Sequence, residues 1–261
     1  MLGLLLLQVL ASCLWLGHSE VMKSFASCSQ FFYRNTIPDN ALEPQNPARI
    51  CQRYKNQYHF ATLYDRDLHI PVHSAYIYRP GSGDRYNSWF VESQVMMGKR
   101  HPREAALEGT TVLLGSDPHF ALSCFVIPDR AYLLPVKSQT GFWATFTLTN
   151  IVPQNSSLNK GAWNDYERNT TAQNTKGCIT TYIITGAVPG NDYISNNRVN
   201  VPSHIWSAAC CQTNSTMKTW AVIAENNKNQ VQNLTLAQLE AKLSQLYGRG
   251  NVSLFHSACP R

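Results

Sequence analysis

Residues 144–167 hold the densest pattern in the chain. They read Ala144-Thr145-Phe146-Thr147-Leu148-Thr149-Asn150, then Ile151-Val152-Pro153-Gln154, then Leu158-Asn159-Lys160-Gly161-Ala162-Trp163, ending at Glu167. The first run alternates. Ala144, Phe146 and Leu148 fall on one side, and Thr145, Thr147 and Thr149 on the other, which predicts a strand over Trp143–Asn150. Beyond Pro153 the period lengthens. Asn159, Trp163 and Glu167 are four apart, so on a helix they share one face. An Asn and a Glu two turns apart can serve one cation. The amide oxygen binds it directly and the carboxylate holds its waters, an arrangement Mg²⁺ tolerates because it keeps much of its hydration shell. Bland readings stand beside this one. Trp163 reads as core, Asn150 equally as a residue ordering the loop after the strand, and Glu167 equally as a surface carboxylate.

Upstream lies Asp129-Arg130-Ala131-Tyr132-Leu133-Leu134-Pro135. Taken with Thr147-Leu148-Thr149-Asn150, Pro153-Gln154 and Leu158 to Trp163, it resembles the DNA/RNA non-specific endonucleases of the ββα-metal class. The family motif runs Asp-Arg-Gly-His, a strand ending in Ser/Thr-Asn, Pro-Gln, Leu-Asn-x-Gly-x-Trp, and a Glu. Phe31-Phe32-Tyr33, Ile50-Cys51-Gln52-Arg53, Phe60 to Tyr64, Ile70-Pro71-Val72 and Trp206 to Cys211 extend the resemblance over nearly the whole chain. There they look closest to one branch, the endonuclease domain-containing protein 1 relatives. The resemblance implies an α+β, ββα-metal nuclease-like domain, with a central mixed or antiparallel sheet flanked by helices. It implies phosphodiester hydrolysis with Mg²⁺ or a similar divalent cation, and DNA or RNA as partner. It places Arg130 near the scissile phosphate, Asn150 at a second site Asn, Asn159 on the metal and Glu167 on the metal's shell.

Three positions depart from the motif. The general-base His is Tyr132, preceded by Ala131 in place of Gly, and Thr171 stands where the family often has an Arg one turn after the Glu. An imidazole takes a proton from water near neutral pH, whereas a phenol with a pKa of about 10 does so poorly. Loss of a general base costs on the order of 10²- to 10⁴-fold. The expectation is therefore a weakened secreted nuclease. The alternative is an inactive pseudonuclease that binds nucleic acid or protein outside the cell. His119, and the pair His69 and His73, which would share a face on a strand, are the other imidazoles weighed as a substitute base; the pair reads more readily as structural.

Elsewhere the pattern is that of an α+β chain. His59–Tyr64 and Val72–Tyr78 read as strands around the turn Asp65-Arg66-Asp67, with Pro80-Gly81-Ser82-Gly83-Asp84 closing the region. Ile179–Gly186, Ile205–Cys211 and Thr219–Ala224 are β-branched or aromatic runs bounded by turn residues. Thr235 to Leu246 is an amphipathic helix, opened by a Thr235/Gln238 capping box and striped by Leu236, Leu239, Leu243 and Leu246. A short helix is predicted at Pro102–Leu107, and an irregular, proline-broken arm from Glu20 to Ala48. No Gly-rich loop follows a strand, and strands and helices do not alternate, which argues against a doubly wound α/β fold.

Residues 1–19 read as a signal peptide, with an apolar Leu2–Leu16 and small Gly17 and Ser19 before Glu20. Residues 20–261 follow as one endonuclease-like domain with its site core at 129–167. No second run approaches the length of a membrane span, so a secreted, extracellular protein is expected. Of eight cysteines, seven remain after Cys13: Cys28, Cys51, Cys124, Cys178, Cys210, Cys211 and Cys259. The resemblance implies Cys28–Cys51, with Cys178 and Cys259 each joined to one of Cys210 and Cys211, and Cys124 as the odd thiol. Asn-x-Ser/Thr sequons stand at Asn155, Asn169, Asn214, Asn233 and Asn251. A net charge of +6 suits a polyanionic partner, although the 22 Lys and Arg are scattered. Only 15% of residues are charged and 44% are hydrophobic, which excludes a mainly disordered chain.

Overall fold

The structure is a computed structural model that describes residues 20–54, 56–79, 120–124, 145 and 147–261. The leader, the 80–84 turn, the 102–107 helix, His119, Arg130 and Tyr132 lie outside the described residues. Among those described, no helix is long and apolar enough to cross a membrane.

Twelve strands are described. In chain order they are β1 (Glu20–Met22), β2 (Pro47–Tyr54), β3 (Gln57–Asp65), β4 (Ile70–Ile77), β5 (Phe120–Cys124), β6 (Ile151–Asn155), β7 (Thr180–Val188), β8 (Asp192–Ile194), β9 (Val199–Val201), β10 (His204–Gln212), β11 (Met217–Glu225) and β12 (Gln232–Leu234). Eight form one sheet in the order β1-β2-β3-β4-β7-β10-β11-β12. All its pairings are antiparallel, so the expected sheet is the antiparallel and not the mixed kind. The β3–β4 hairpin falls where the alternation placed it. The Asp65 carboxylate accepts from the backbone N–H groups of Asp67 and Leu68, which closes the turn.

The arm is more regular than predicted. Its first residues form β1 against β2, and β2 begins at Pro47. A proline is tolerated at a strand's first residue, so the turn reading of that proline overreached. Between β1 and β2 the chain makes single 3-10 turns, pinned by Cys28–Cys51.

Helix α1 is Ser156–Lys160. Helix α2 is built from Ala162–Asp165, a π-helical turn at Tyr166–Thr170, and Thr171–Asn174. Helix α3, Leu236–Tyr247, carries the predicted capping box, and buries Leu236, Leu239 and Leu243. The sheet is covered on both faces. One face packs on α3 and the N-terminal turns through Phe25, Phe31, Trp206, Leu239 and Leu254. The other packs on α1 and α2 through Leu158, Trp163, Tyr166, Ile205 and Val222.

Register organises this second face into transverse rows. Thr62, Ser74, Thr185, Ser207 and Val222 lie opposite one another across β3, β4, β7, β10 and β11. The four hydroxyl residues are buried and paired: Thr62 to Ser74 at 2.7 Å, Thr185 to Ser207 at 3.0 Å. Apolar rows flank them, Ile183 and Ala209 on one side, Ala187 and Ile205 on the other. A buried polar row is tolerated because its hydroxyls satisfy each other.

Candidate active site

The segment 145–174 crosses the hydroxyl row, and the structure redraws its local form. The predicted strand Trp143–Asn150 is not seen in its described part: Leu148–Asn150 form a 3-10 turn and the strand is Ile151–Asn155. The alternation misled because Thr145, Thr147, Leu148, Thr149 and Asn150 are all buried, so no solvent face exists to match the Thr side. Asn150 explains the turn. Its Nδ2 donates to the Thr145 carbonyl at 3.1 Å, its backbone N–H donates to the Thr147 carbonyl, and the Ser74 hydroxyl donates to its Oδ1 at 3.4 Å. A fully buried amide thus fixes the chain where it leaves the sheet, and the loop-ordering role is real.

The single helix expected to carry Asn159, Trp163 and Glu167 is two helices. Asn155 caps α1 by accepting from the Ser157 N–H at 2.9 Å, and α1 ends at Gly161 with φ −104° and ψ −114°. A Cβ at Gly161 would stand 2.3 Å from Asn229 Oδ1 and 2.6 Å from the Ser157 carbonyl. The Ala162 N–H donates to that same Oδ1 at 2.7 Å, so Asn229 occupies the break and opens α2. Asn159 therefore sits on α1 while Trp163 and Glu167 sit on α2. Both helices pack on the same face of the sheet through Leu158, Trp163 and Tyr166. Trp163 is core, as read, with its ring 5.3 Å from that of Tyr166. Asn159 and Glu167 are each half-buried.

The π turn sets the direction of Glu167. The Thr171 N–H and hydroxyl both donate to the Tyr166 carbonyl, the hydroxyl at 3.0 Å. Thr171 is buried by this, so the residue at the family's Arg place points inward. Tyr166 and Tyr76 lie within electrostatic reach of Glu167. Burial pushes both phenols up from their ordinary pKa, and the nearby Glu167 carboxylate pushes further. Both remain neutral hydroxyls at any working pH.

Asn226 and Asn229 were missed. Asn226 is 5% exposed; its Nδ2 donates to the carbonyls of Pro153 (3.1 Å) and Pro202 (2.9 Å), and its Oδ1 accepts from the Asn155 N–H at 2.9 Å. Together the two asparagines pin β6, α1 and α2 to the β10 and β11 ends. They lie in a polar turn, Asn226-Asn227-Lys228-Asn229, that has no period and no motif.

The histidine pair does not share a strand face. His69 ends the β3–β4 turn with φ 56°, and its Nδ1 lies 2.7 Å from the Arg198 carbonyl. His73 is buried in β4, where loss of solvation lowers its pKa to about 3. Among the described residues no three His, Cys, Asp or Glu side chains gather as a metal cluster. The oxygen donors of Asn159 and Glu167 fit a hard, largely hydrated cation rather than one caged by protein.

Among the described residues the bridges are Cys28–Cys51, Cys178–Cys211 and Cys210–Cys259, within the pairing the resemblance implied, while the side chain of Cys124 lies outside what is described. Comparison with known proteins gives the lineage. A chain of the solved EndoG/EndoGI complex shares the fold at a TM-score of 0.50 and 16% identity, over 74% of this chain and 83% of that one. The human Endonuclease domain-containing 1 protein is 34% identical over 204 residues, 74% of this chain and 40% of that protein. The mouse protein of the same name is 32% identical, over 72% of this chain and 39% of that one. The chain thus spans about 40% of the length of these relatives. The family model of the DNA/RNA non-specific endonucleases matches residues 37–249, and the chain belongs to that family.

Proposed function

We propose that this protein meets nucleic acid over α1 and α2, holds a divalent cation there with Asn159 and Glu167, and hydrolyses phosphodiesters slowly. The observation that carries the reading is the Leu158 to Trp163 motif in place on its fold: Leu158 and Trp163 are buried against the sheet while Asn159 stays half-exposed beside them. Mg²⁺, when bound, polarises a phosphoryl oxygen and lowers the pKa of its water. This chain's residues do the rest. Asn159 offers a neutral oxygen and Glu167 a charged one, so a cation is favoured without quenching its charge. Arg130 is assigned to the scissile phosphate, and Asn150 to holding the turn that leads into the site. At the base position Tyr132 keeps its proton at neutral pH, which accounts for slow cleavage.

A second reading, binding without cleavage, is favoured by Thr171. Its hydroxyl is spent inside the π turn, leaving no side chain there to reach a phosphate. Three disulfides suit an oxidising, extracellular setting for either reading.

The test is Mg²⁺-dependent nicking of plasmid DNA, and cleavage of RNA, by the purified protein. Wild type cleaves feebly. Tyr132→His with Ala131→Gly raises the rate by about 10² if the base is what is missing. Asn159→Ala then abolishes the gain. Vigorous wild-type cleavage lost on Asn159→Ala removes the claim of a weakened site. No gain in the double variant moves the conclusion to binding alone.

A further inference from the structure

The five sequons are not equivalent in the fold. Asn214 lies in the β10–β11 turn, Asn233 on the edge strand β12 and Asn251 just after α3. The remaining two lie on the segment that carries Asn159 and Glu167. Asn155 is the cap of α1 and stands four residues before Asn159, so at a rise of ~1.5 Å per residue the two positions lie within about 6 Å of each other along the helix axis. Asn169 is two residues past Glu167 within the π turn, about half a turn around, and is exposed on the opposite flank, where its Nδ2 donates to Asp165 at 2.6 Å.

The side-chain hydrogen bonds of Asn155 run through Oδ1 and leave the amide nitrogen Nδ2, the atom a glycan attaches to, out of the cap. Oδ1 takes the Ser157 N–H at 2.9 Å and lies 2.6 Å from the Ser157 hydroxyl, the third residue of its own sequon. Nδ2 takes no part in the cap. A substituent on Nδ2 therefore leaves the cap intact and is anchored four residues from Asn159, at the start of the same short helix.

We propose that Asn155 carries an N-linked glycan that overhangs Asn159 and screens this flank from double-stranded nucleic acid. The proposal rests on the reading that nucleic acid is met over α1 and α2. The covalent step uses a lipid-linked oligosaccharyl diphosphate. The Asn155 Nδ2–C1 bond forms as the C1–oxygen bond to the diphosphate breaks. The lipid diphosphate leaves with the bonding electrons, and the amide nitrogen gives up one proton, keeping the other. A bulky, hydrated sugar fixed one turn from Asn159 collides with a rigid duplex laid across α1. The Asn169 sugar, on the far flank, does not. The same fold then serves as an internal control.

The experiment uses the full chain secreted from cultured mammalian cells. Site-resolved glycopeptide mass spectrometry reads occupancy, and fluorescence anisotropy with a labelled duplex DNA in Mg²⁺ reads binding. Ser157→Ala removes the sequon but keeps the Asn155 cap, whose partner is the Ser157 backbone N–H. Ser157→Thr keeps the sequon. Asn169→Gln removes the far-flank sugar. The expected result is an occupied Asn155, duplex affinity raised several-fold or more in Ser157→Ala, and no change in Ser157→Thr or Asn169→Gln. Matched thermal midpoints exclude a folding effect. An unoccupied Asn155 overturns the proposal, as does Ser157→Ala binding no tighter than wild type, or an equal gain from Asn169→Gln. If wild type and Ser157→Ala both fail to bind duplex, this proposal falls together with the nucleic-acid reading. Equal binding by both overturns the proposal alone.

Discussion

His73 shows how one side chain ties stability to pH. It is buried in β4 between Leu63 of β3 and Gly186 of β7, and its Nδ1 has no hydrogen-bond partner among the described residues. Only the neutral ring is tolerated, and the folded pKa falls to about 3 from the ordinary 6.5. Above pH 6.5 both folded and unfolded chains are neutral there, and the stability is fully present. As pH falls below 6.5 the unfolded chain takes up the proton first, so stability is lost down to about pH 3. At pH 5 that is roughly 2 kcal/mol. Urea denaturation of wild type and His73→Leu over pH 5 to 8 should show a slope in the first that is flatter in the second; equal slopes refute the assignment. Asn226 is a second residue whose size hides its reach. Its Ala variant leaves the Pro153 and Pro202 carbonyls and the Asn155 N–H without their partner. A loss of about 3 kcal/mol in a chemical melt is expected. A loss under about 0.5 kcal/mol, the range of ordinary surface changes, would mean that water replaces the amide.

At the scale of elements, the decisive feature is the break at Gly161. Gly161→Ala forces a Cβ against Asn229 and the Ser157 carbonyl. The expected cost is about 1–3 kcal/mol, with faster amide hydrogen exchange confined to α1 and the first turn of α2. Unchanged exchange there would show that the helices hold their angle without Asn229. This break also marks where the sequence could be read and where it could not. The strands β3, β4, β7, β10 and β11, and helix α3, announce themselves because each has one consistent period and a turn or cap at its end. Asn159, Trp163 and Glu167 have helical spacing, but spacing of four is blind to a non-helical Gly and a π turn between them. The Thr145 to Thr149 alternation imitates a half-exposed strand, because spacing alone does not show that Thr145, Thr147 and Thr149 are all buried. The buried Leu158 and Trp163 and the loop-ordering Asn150 were legible, the first two from the motif and the last from its place at the end of the alternating run. Asn226 and Asn229 were not, because a clamp made of long-range hydrogen bonds leaves no local pattern.

Across the whole molecule, neighbouring residues on β10 bind opposite faces of the sheet. Cys210 turns to the α3 face and bridges to Cys259; Cys211 turns to the α2 face and bridges to Cys178. Successive strand residues point to opposite sides, so the pair cannot serve each other and instead fastens both layers to one strand. Removing either bridge as a Cys→Ser pair should cost about 2–5 kcal/mol in a chemical melt, and an unchanged midpoint would deny them that role. The same crossing has a mechanical consequence. The bridges span 33 and 49 residues and meet at adjacent positions, so tension entering at Cys178 passes to Cys211, steps back one residue, and leaves through Cys259. Apart from the Cys210–Cys211 step on β10, strands β7 to β12 and helix α3 lie off that load path. Pulled from its ends, the oxidised chain keeps about 270 Å of contour, at ~3.3–3.6 Å per residue, out of reach of force. Optical-tweezer traces should gain that length only after reductant is added, so the segment from Cys178 to Cys259 behaves as a short, stiff link however hard the rest of the protein is stretched.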